Sequence, residues 1–285
     1  MRRRFAMLPL AASLLAAASL PADAAAPLPR VMSTNLCADV LLLSLADPAQ
    51  IVSVSAKSQD PARSSLAARA ARFASNTGSA EEVIAARPDI VLASRRWQAH
   101  HQAALFGRHG IEIVTVPFPD DWTGIFDSTR RIGARIGRAE AAAALVAEVQ
   151  ARLAVLRRDT PAAQALYLRP NGGTAGAGTH VNAVLQAAGL RNHAAETGRS
   201  GWGRASLEDV VAAPPELIVT SHMVHDTTYA RAGFSRHPQM RAIAASRPLL
   251  SLSHNDWGCS NWQLVEAAEE LAAGLRRLPP PETRR

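Results

Sequence analysis

Short apolar blocks alternate with polar ones along this chain, and one block recurs. Residues 79–93, SAEEVIAARPDIVLA, are echoed by residues 206–220, SLEDVVAAPPELIVT. Ser79 aligns with Ser206, Glu81 with Glu208, Val83 with Val210 and Pro88 with Pro215, while the acids Asp89 and Glu216 coincide. In each copy an acidic first turn suits the positive end of a helix dipole. Val83-Ile84 or Val210-Val211 supplies the buried stripe of that helix. The proline then stops it, because its ring disfavours a helical conformation at the residue before. Ile90-Val91-Leu92 and Leu217-Ile218-Val219 follow, short apolar runs that suit strands buried on both faces. Helix–Pro–strand phrases are common in α/β proteins. Agreement at this many aligned positions nevertheless favours two similar lobes, and a protein of two lobes usually works at the cleft between them.

The rest of the pattern extends this. Strands are expected at Arg30–Ser33, Gln50–Val54, Asp89–Ala93, Glu112–Val116, Ala165–Leu168 and Leu249–Ser253. Helices are expected at Ala38–Leu45, Trp97–His109, Ile125–Ile136, His180–Ala188, His237–Ala244 and Cys259–Arg276, with a glycine-rich loop at Asn171–Gly178. The longest helical run is Ala139–Arg158, rich in strong helix formers, with apolar residues at Leu145, Val149, Leu153 and Leu156. Strands alternating with helices predict an α/β fold with parallel sheets flanked by helices. The long helix, placed where the pattern resets, is expected to be the single bridge between the lobes. The predicted division is 25–137 for the N-terminal lobe, 138–160 for the bridge, 161–277 for the C-terminal lobe and 278–285 for a frayed tail.

The N-terminus reads as an export signal. Arg2-Arg3-Arg4 precedes an apolar stretch from Ala6 to Leu20, and Ala22-Asp23-Ala24 has the small-x-small pattern of a cleavage site. The stretch is short for a membrane span. We therefore expect cleavage near Ala24, with Ala26 as the alternative, by either the general or the twin-arginine route. Removing three arginines and one aspartate with this segment lowers the formal net charge from +7 to +5. The remaining positive charge is scattered, and with two Tyr and six Phe to interleave, nucleic-acid binding is not supported.

Tryptophan placement carries more. Trp97, Trp122 and Trp257 each follow a predicted strand, and Trp202 precedes the second echo helix. Ligands of open parallel sheets sit beyond the carboxyl ends of the strands. Four tryptophans there are expected to wall a pocket for a large planar or amphipathic molecule; the competing role is plugging the bases of loops. Trp262, inside the last predicted helix, is expected in the core. Polar groups on the same edge are Asn35, Lys57, Ser75, Asn76, Arg95, Arg96, Asn171, Thr174, His222, His254 and Asn255. A basic bias among them would suit carboxylate or phosphate groups on a ligand.

Cys37 and Cys259 are the only cysteines. In an oxidising compartment two cysteines usually pair, which requires Cα atoms within about 7 Å. Three alternatives stand: a cross-lobe disulfide, two thiols lining the cleft, or thiolate contacts to a metal centre in the ligand. Enzyme signatures are weak. The loop NGGTAGAGT lacks both the Gly-Lys-Ser/Thr ending of a phosphate loop and the GxGxxG spacing, and there is no GxSxG elbow. His100-His101, His222 and His225 make a metal-dependent enzyme the leading alternative class, although no HExxH or second cluster accompanies them. Neither a resident cofactor nor a metal site is expected.

RVMSTNLCADVLLLSLA, IVSVS and SAEEVIAARPDIVLA, then the central helix, NGGTAGAGT, GWGRASLEDV and SRHPQMRAIAA together resemble one family. It is that of the helical-backbone periplasmic substrate-binding proteins serving ABC importers of vitamin B12, ferric siderophores and haem. The resemblance spans essentially the whole mature chain. It implies a monomeric periplasmic receptor that holds a metal chelate between its lobes and docks onto a permease dimer in the inner membrane. It further implies that Glu81 and Glu208 meet arginines of that permease; the alternative for both is compensation of a helix dipole. Trp202 stands where B12 binders carry a cleft tryptophan. Lys57 and Ser75 stand where such binders have aromatics, a departure from the B12 pattern.

Overall fold

A computed structural model describes residues 27–100, 103–156, 163–169, 171–221, 233–252 and 258–278. In the N-terminal half the elements are β1 (Val31–Ser33), α1 (Leu36–Leu45), β2 (Ile51–Ser55), α2 (Ala67–Ala70), β3 (Ser75–Asn76) and α3 (Ala80–Ala86). β4 (Ile90–Ser94), α4 (Arg95–His100), α5 (Ala103–Gly107) and β5 (Glu112–Val116) complete it. Two long helices follow, α6 (Trp122–Arg135) and α7 (Ala139–Leu156). The C-terminal half runs β6 (Ala163–Tyr167), β7 (Gly173–Ala175), α8 (His180–Ala187), β8 (Leu190–Asn192), α9 (His193–Glu196) and β9 (Trp202–Arg204). Then come α10 (Leu207–Ala212), β10 (Leu217–Ser221), α11 (Gly233–Arg236), α12 (Pro238–Ser246), β11 (Leu249–Leu252) and α13 (Leu264–Arg277).

The strands form two parallel sheets, ordered β3-β2-β1-β4-β5 and β11-β10-β6-β8, with a small antiparallel β7–β9 pair beside the second. The echo is structural. α3 and α10 are both capped by the serine that opens the repeat: Ser79 accepts from the Glu82 N–H and Ser206 from the Asp209 N–H, each at 3.2 Å. The strands that follow, β4 and β10, each lie between two parallel neighbours. Their side chains split by period two, as doubly buried strands require. Ile90 and Leu92 join the core that holds Leu42 and Ile132, while Val91 and Ala93 join Met32 and Phe106 on the opposite face. Leu217 and Val219 pack with Ala165 and Tyr167, and Ile218 packs with Leu166 and Val210 on the other side.

α7 makes the expected crossing, with Ala142 in the N-terminal core and Leu156 in the C-terminal one. α6 crosses as well: Ile125 packs in the C-terminal core, Ile132 and Ile136 in the N-terminal one. The two helices lie so close that a Cβ at Gly133 would fall 2.3 Å from the Ala142 Cβ. Glycine there is a packing requirement.

A third crossing was not expected. The final helix was predicted to start at Cys259, yet it starts at Leu264. Cys259–Gln263 instead lies against the N-terminal half: the Trp262 indole N–H donates to Ser44 Oγ and Gln263 Nε2 to Ser65 Oγ, at 3.1 and 2.9 Å. Trp262 packs on the N-terminal core, as expected of it. Cys37 and Cys259 are joined in a disulfide spanning 222 residues, with Cα atoms 5.3 Å apart. No helix among the described residues is long and apolar enough to cross a membrane.

Candidate functional site

Two contacts bring the carboxyl ends of the sheets face to face. Cys37, just past β1, is bonded to Cys259, which lies past β11. Phe118, two residues past β5, lies edge-on to the ring of His180, the first residue of α8, at 5.2 Å. The crevice between these edges is where an open parallel sheet takes its ligand.

The C-terminal wall is aromatic. His180 is 1% exposed and tilts against Trp202 at 5.4 Å; Tyr167, also buried, meets Trp202 edge-on at 6.5 Å. Trp202 itself is 41% exposed and Phe118 51%. Local order explains why an indole is held half out of the core. It sits on β9, paired with β7 so that Ala175 opposes Trp202. Thr174, on the other face of that ribbon, is 1% exposed and donates to the Tyr167 carbonyl at 2.7 Å. The Arg169 guanidinium lies over the Trp202 ring, 4.8 Å from its centroid.

The N-terminal wall is polar. Asp39, fully buried, accepts from Ser33 Oγ and Ser55 Oγ and, at 3.0 Å, from the Ser55 N–H. Burial raises its pKa, and the serine hydrogen bonds oppose the rise. Asn76, 5% exposed, donates to the Ser33 carbonyl and Ser53 Oγ, both at 2.9 Å. Asn35 caps α1 by accepting from the Ala38 N–H at 3.1 Å. The Asn76 Oδ1 and Asn35 Nδ2 atoms are buried with no hydrogen-bond partner among the described residues. Lys57, Ser75, Arg95 and Arg96 are exposed along the same edge.

The tryptophans expected to act together have separate surroundings. The Trp97 indole donates to the Gly78 carbonyl at 2.6 Å and its ring stacks on Phe106 at 5.4 Å, so it closes a loop base in the N-terminal half. Trp122 opens α6; its indole donates to the Ala183 carbonyl at 3.2 Å and its ring stacks on Phe126 against the C-terminal core. It ties a crossing helix to α8. His222, His225, His254, Asn255 and Trp257 lie outside the described residues, as does His101. Phe118, Tyr167, Arg169, His180 and Asp39 were not anticipated. Their one sequence signal is position: Phe118, Tyr167 and Arg169 follow or end a strand, His180 opens a helix, and Asp39 is the acid in the first turn of α1.

Glu81 and Glu208 are both exposed in the first turns of α3 and α10. At α3 the capping falls to Ser79 and Glu82, whereas at α10 Glu208 takes part in it beside Ser206. Glu82 closes the α3 capping box, accepting from the Ser79 N–H at 3.2 Å and from the Thr77 hydroxyl and N–H, each at 2.8 Å. The Thr77 bonds are the main reason its pKa is lowered. Glu208 accepts from Ser206 Oγ at 2.8 Å; its own backbone N–H and then that hydroxyl lower its pKa. Among the described residues no group of three or more His, Cys, Asp or Glu is placed to hold a metal ion.

Comparison with known proteins gives a consistent picture. The profile of a family described as periplasmic binding protein matches residues 31–247. A cobalamin-binding protein of Halobacterium salinarum is 30% identical over 146 residues, which are 49% of this chain and 39% of that relative. The match thus spans well under half of the relative's length. Among solved structures, the periplasmic haem-binding protein HutB of Vibrio cholerae superposes with a TM-score of 0.71 at 16% identity, covering 86% of this chain and 97% of that one. The haem-binding protein RhuT of Roseiflexus sp. RS-1 in apo form gives 0.66 at 20% identity, covering 87% and 98%. An ABC-type Fe3+-hydroxamate transport system protein of Saccharomonospora viridis gives 0.64 at 19% identity, covering 87% and 93%. At these identities the structural likeness establishes the fold.

Proposed function

Because the chain belongs to the periplasmic binding protein family, we propose that it is a receptor for a bulky metal chelate. The guest, a ferric siderophore, corrinoid or haem, is held between the lobes and handed to an ABC importer. The observation that carries this is the half-exposed Trp202 at the meeting of the two sheet edges, backed by His180 and flanked by Phe118. An apolar aromatic face left open at a lobe boundary suits a large guest rather than a reacting centre. No covalent step is assigned to the cleft. The names of a cobalamin-binding relative and of haem-binding and Fe3+-hydroxamate structural neighbours are in keeping with this cargo.

In this proposal the lobes are 25–137 and 161–277, joined through 138–160, and the protein is a monomer exported to the periplasm by the signal at 1–24. Trp202 and Phe118 supply the apolar contact. Asn35, Asn76, Lys57 and Arg95, with His222 and Trp257, supply the remaining surface; Trp97, Trp122 and Thr174 hold its frame. Glu81 and Glu208 face the permease dimer; both are exposed, and at α3 it is Glu82 that closes the cap.

Intrinsic tryptophan fluorescence tests the reading. Separate titrations with haemin, cyanocobalamin and a ferric trihydroxamate should give saturable quenching by at least one, lost in Trp202→Phe. A flat response to all three would overturn it.

A further inference from the structure

Arg169 is an exposed arginine whose backbone, stem and Nε are all engaged. Its backbone N–H donates to the Gly173 carbonyl at 2.8 Å, and its own carbonyl accepts from the Gly172 N–H at 2.9 Å. Its stem crosses Gly173 so closely that a Cβ there would fall 3.2 Å from Arg169 Cδ. Nε donates to the Tyr167 hydroxyl at 3.2 Å, and the guanidinium carbon lies over the Trp202 ring, 4.8 Å from its centroid. Ordering an arginine side chain costs rotamer entropy, and a planar fork once ordered loses less on forming each further hydrogen bond. Among the described residues no carboxylate pairs with it; the ion pairs there use other arginines. Arg204 adds a second guanidinium two residues beyond Trp202, on the same side of β9.

We propose that Arg169 is the specificity-determining residue of the cleft, and that it selects guests carrying a peripheral carboxylate over neutral ones. This rests on the receptor reading above. The guest's apolar body lies on the exposed indole while its carboxylate meets the planar guanidinium fork beside it. Stacking and the Tyr167 bond fix the direction of that fork before the guest arrives, which is what makes a bidentate contact selective. A neutral amide or ester at the same place would leave the guanidinium covered and unpaired, so discrimination comes from rejection as well as attraction.

The test uses pairs of chelates in which one member carries free carboxylates and the other does not. These are an iron porphyrin with free carboxylates and its methyl ester, a corrinoid with free carboxylates and its amide form, and a ferric carboxylate chelate beside a ferric trihydroxamate. With the full-length mature protein, the carboxylate member of the series that binds should bind roughly tenfold to hundredfold more tightly, and less tightly as salt rises. Arg169→Ala should erase that preference, weakening the carboxylate member and strengthening the neutral one, since the rejection goes with the guanidinium. Arg169→Lys, which keeps the charge but not the fork, should restore only part of it. Equal affinity for both members, or equal loss for both in Arg169→Ala, would overturn the assignment and leave the receptor reading standing. Binding of none of the six would overturn the receptor reading and this one with it.

Discussion

The two lobes begin from the same repeated unit and end in opposite surfaces. The N-terminal edge buries a network of uncharged donors around one carboxylate and leaves Lys57, Arg95 and Arg96 exposed outside it. Asp39 gathers Ser33 and Ser55, and Asn76 ties the ends of β1 and β2. The C-terminal edge uses Thr174 and Tyr167 beneath and leaves an indole and a guanidinium open above. One wall is made stiff and the other adhesive. Duplication of a helix–strand unit therefore fixes where the walls stand, while the residues after each strand decide what each wall does.

The strongest way to break this division is at the outer ends of the repeat. Glu81→Lys with Glu208→Lys should abolish uptake in cells while chelate affinity, read by fluorescence, stays within about twofold, since the glutamates lie on the first turns of α3 and α10. Lost affinity would count against a docking role. Next is the bond between the walls. Cys37→Ser with Cys259→Ser removes a cross-link closing a long loop, which should cost about 2–5 kcal/mol of stability by denaturant titration. Gly133→Ala places a methyl group against Ala142 at the tightest point of the two struts. It should cost about 1–3 kcal/mol and lower the thermal midpoint without changing secondary structure.

The smallest effect concerns the polar wall alone. Burial raises the Asp39 pKa above its unfolded value, so the stability it contributes is full below about pH 4 and falls as pH rises through the raised value. Asp39→Asn lacks this titration. Its stability relative to the parent should therefore improve as pH climbs from 4 toward 8, whatever the constant offset. A pH-independent difference would mean the carboxylate's burial has no energetic consequence.

Much of the frame was legible because it depends on local pattern. Glu112–Val116 was predicted as the strand it forms, the apolar runs after Pro88 and Pro215 became β4 and β10, and Ala139 opens α7 as expected. The helix predicted at Trp97–His109 is described as α4 and α5 on either side of residues 101–102. The loop at Asn171–Gly178 contains β7, whose partner β9 lies past α8 and α9; no local pattern announces a pairing at that distance. Trp122 was expected in the pocket wall. Its indole reaches Ala183, a bond that no local pattern announces, because α6 carries it across to the other lobe. Of the three fates open to the cysteines, the bond is the one formed, and it forms because the segment before α13 folds back onto α1.

Hydrophobic spacing, prolines and helix caps acting within a few residues determined the elements and the alternation that makes two parallel sheets. Which side chains face one another across the crevice was decided by the tertiary structure. Phe118 with His180 and Cys37 with Cys259 are brought together by the crossings of α6, α7 and the segment before α13. Contacts of that kind depend on the relative placement of whole lobes, a quantity to which no single stretch of sequence holds the key.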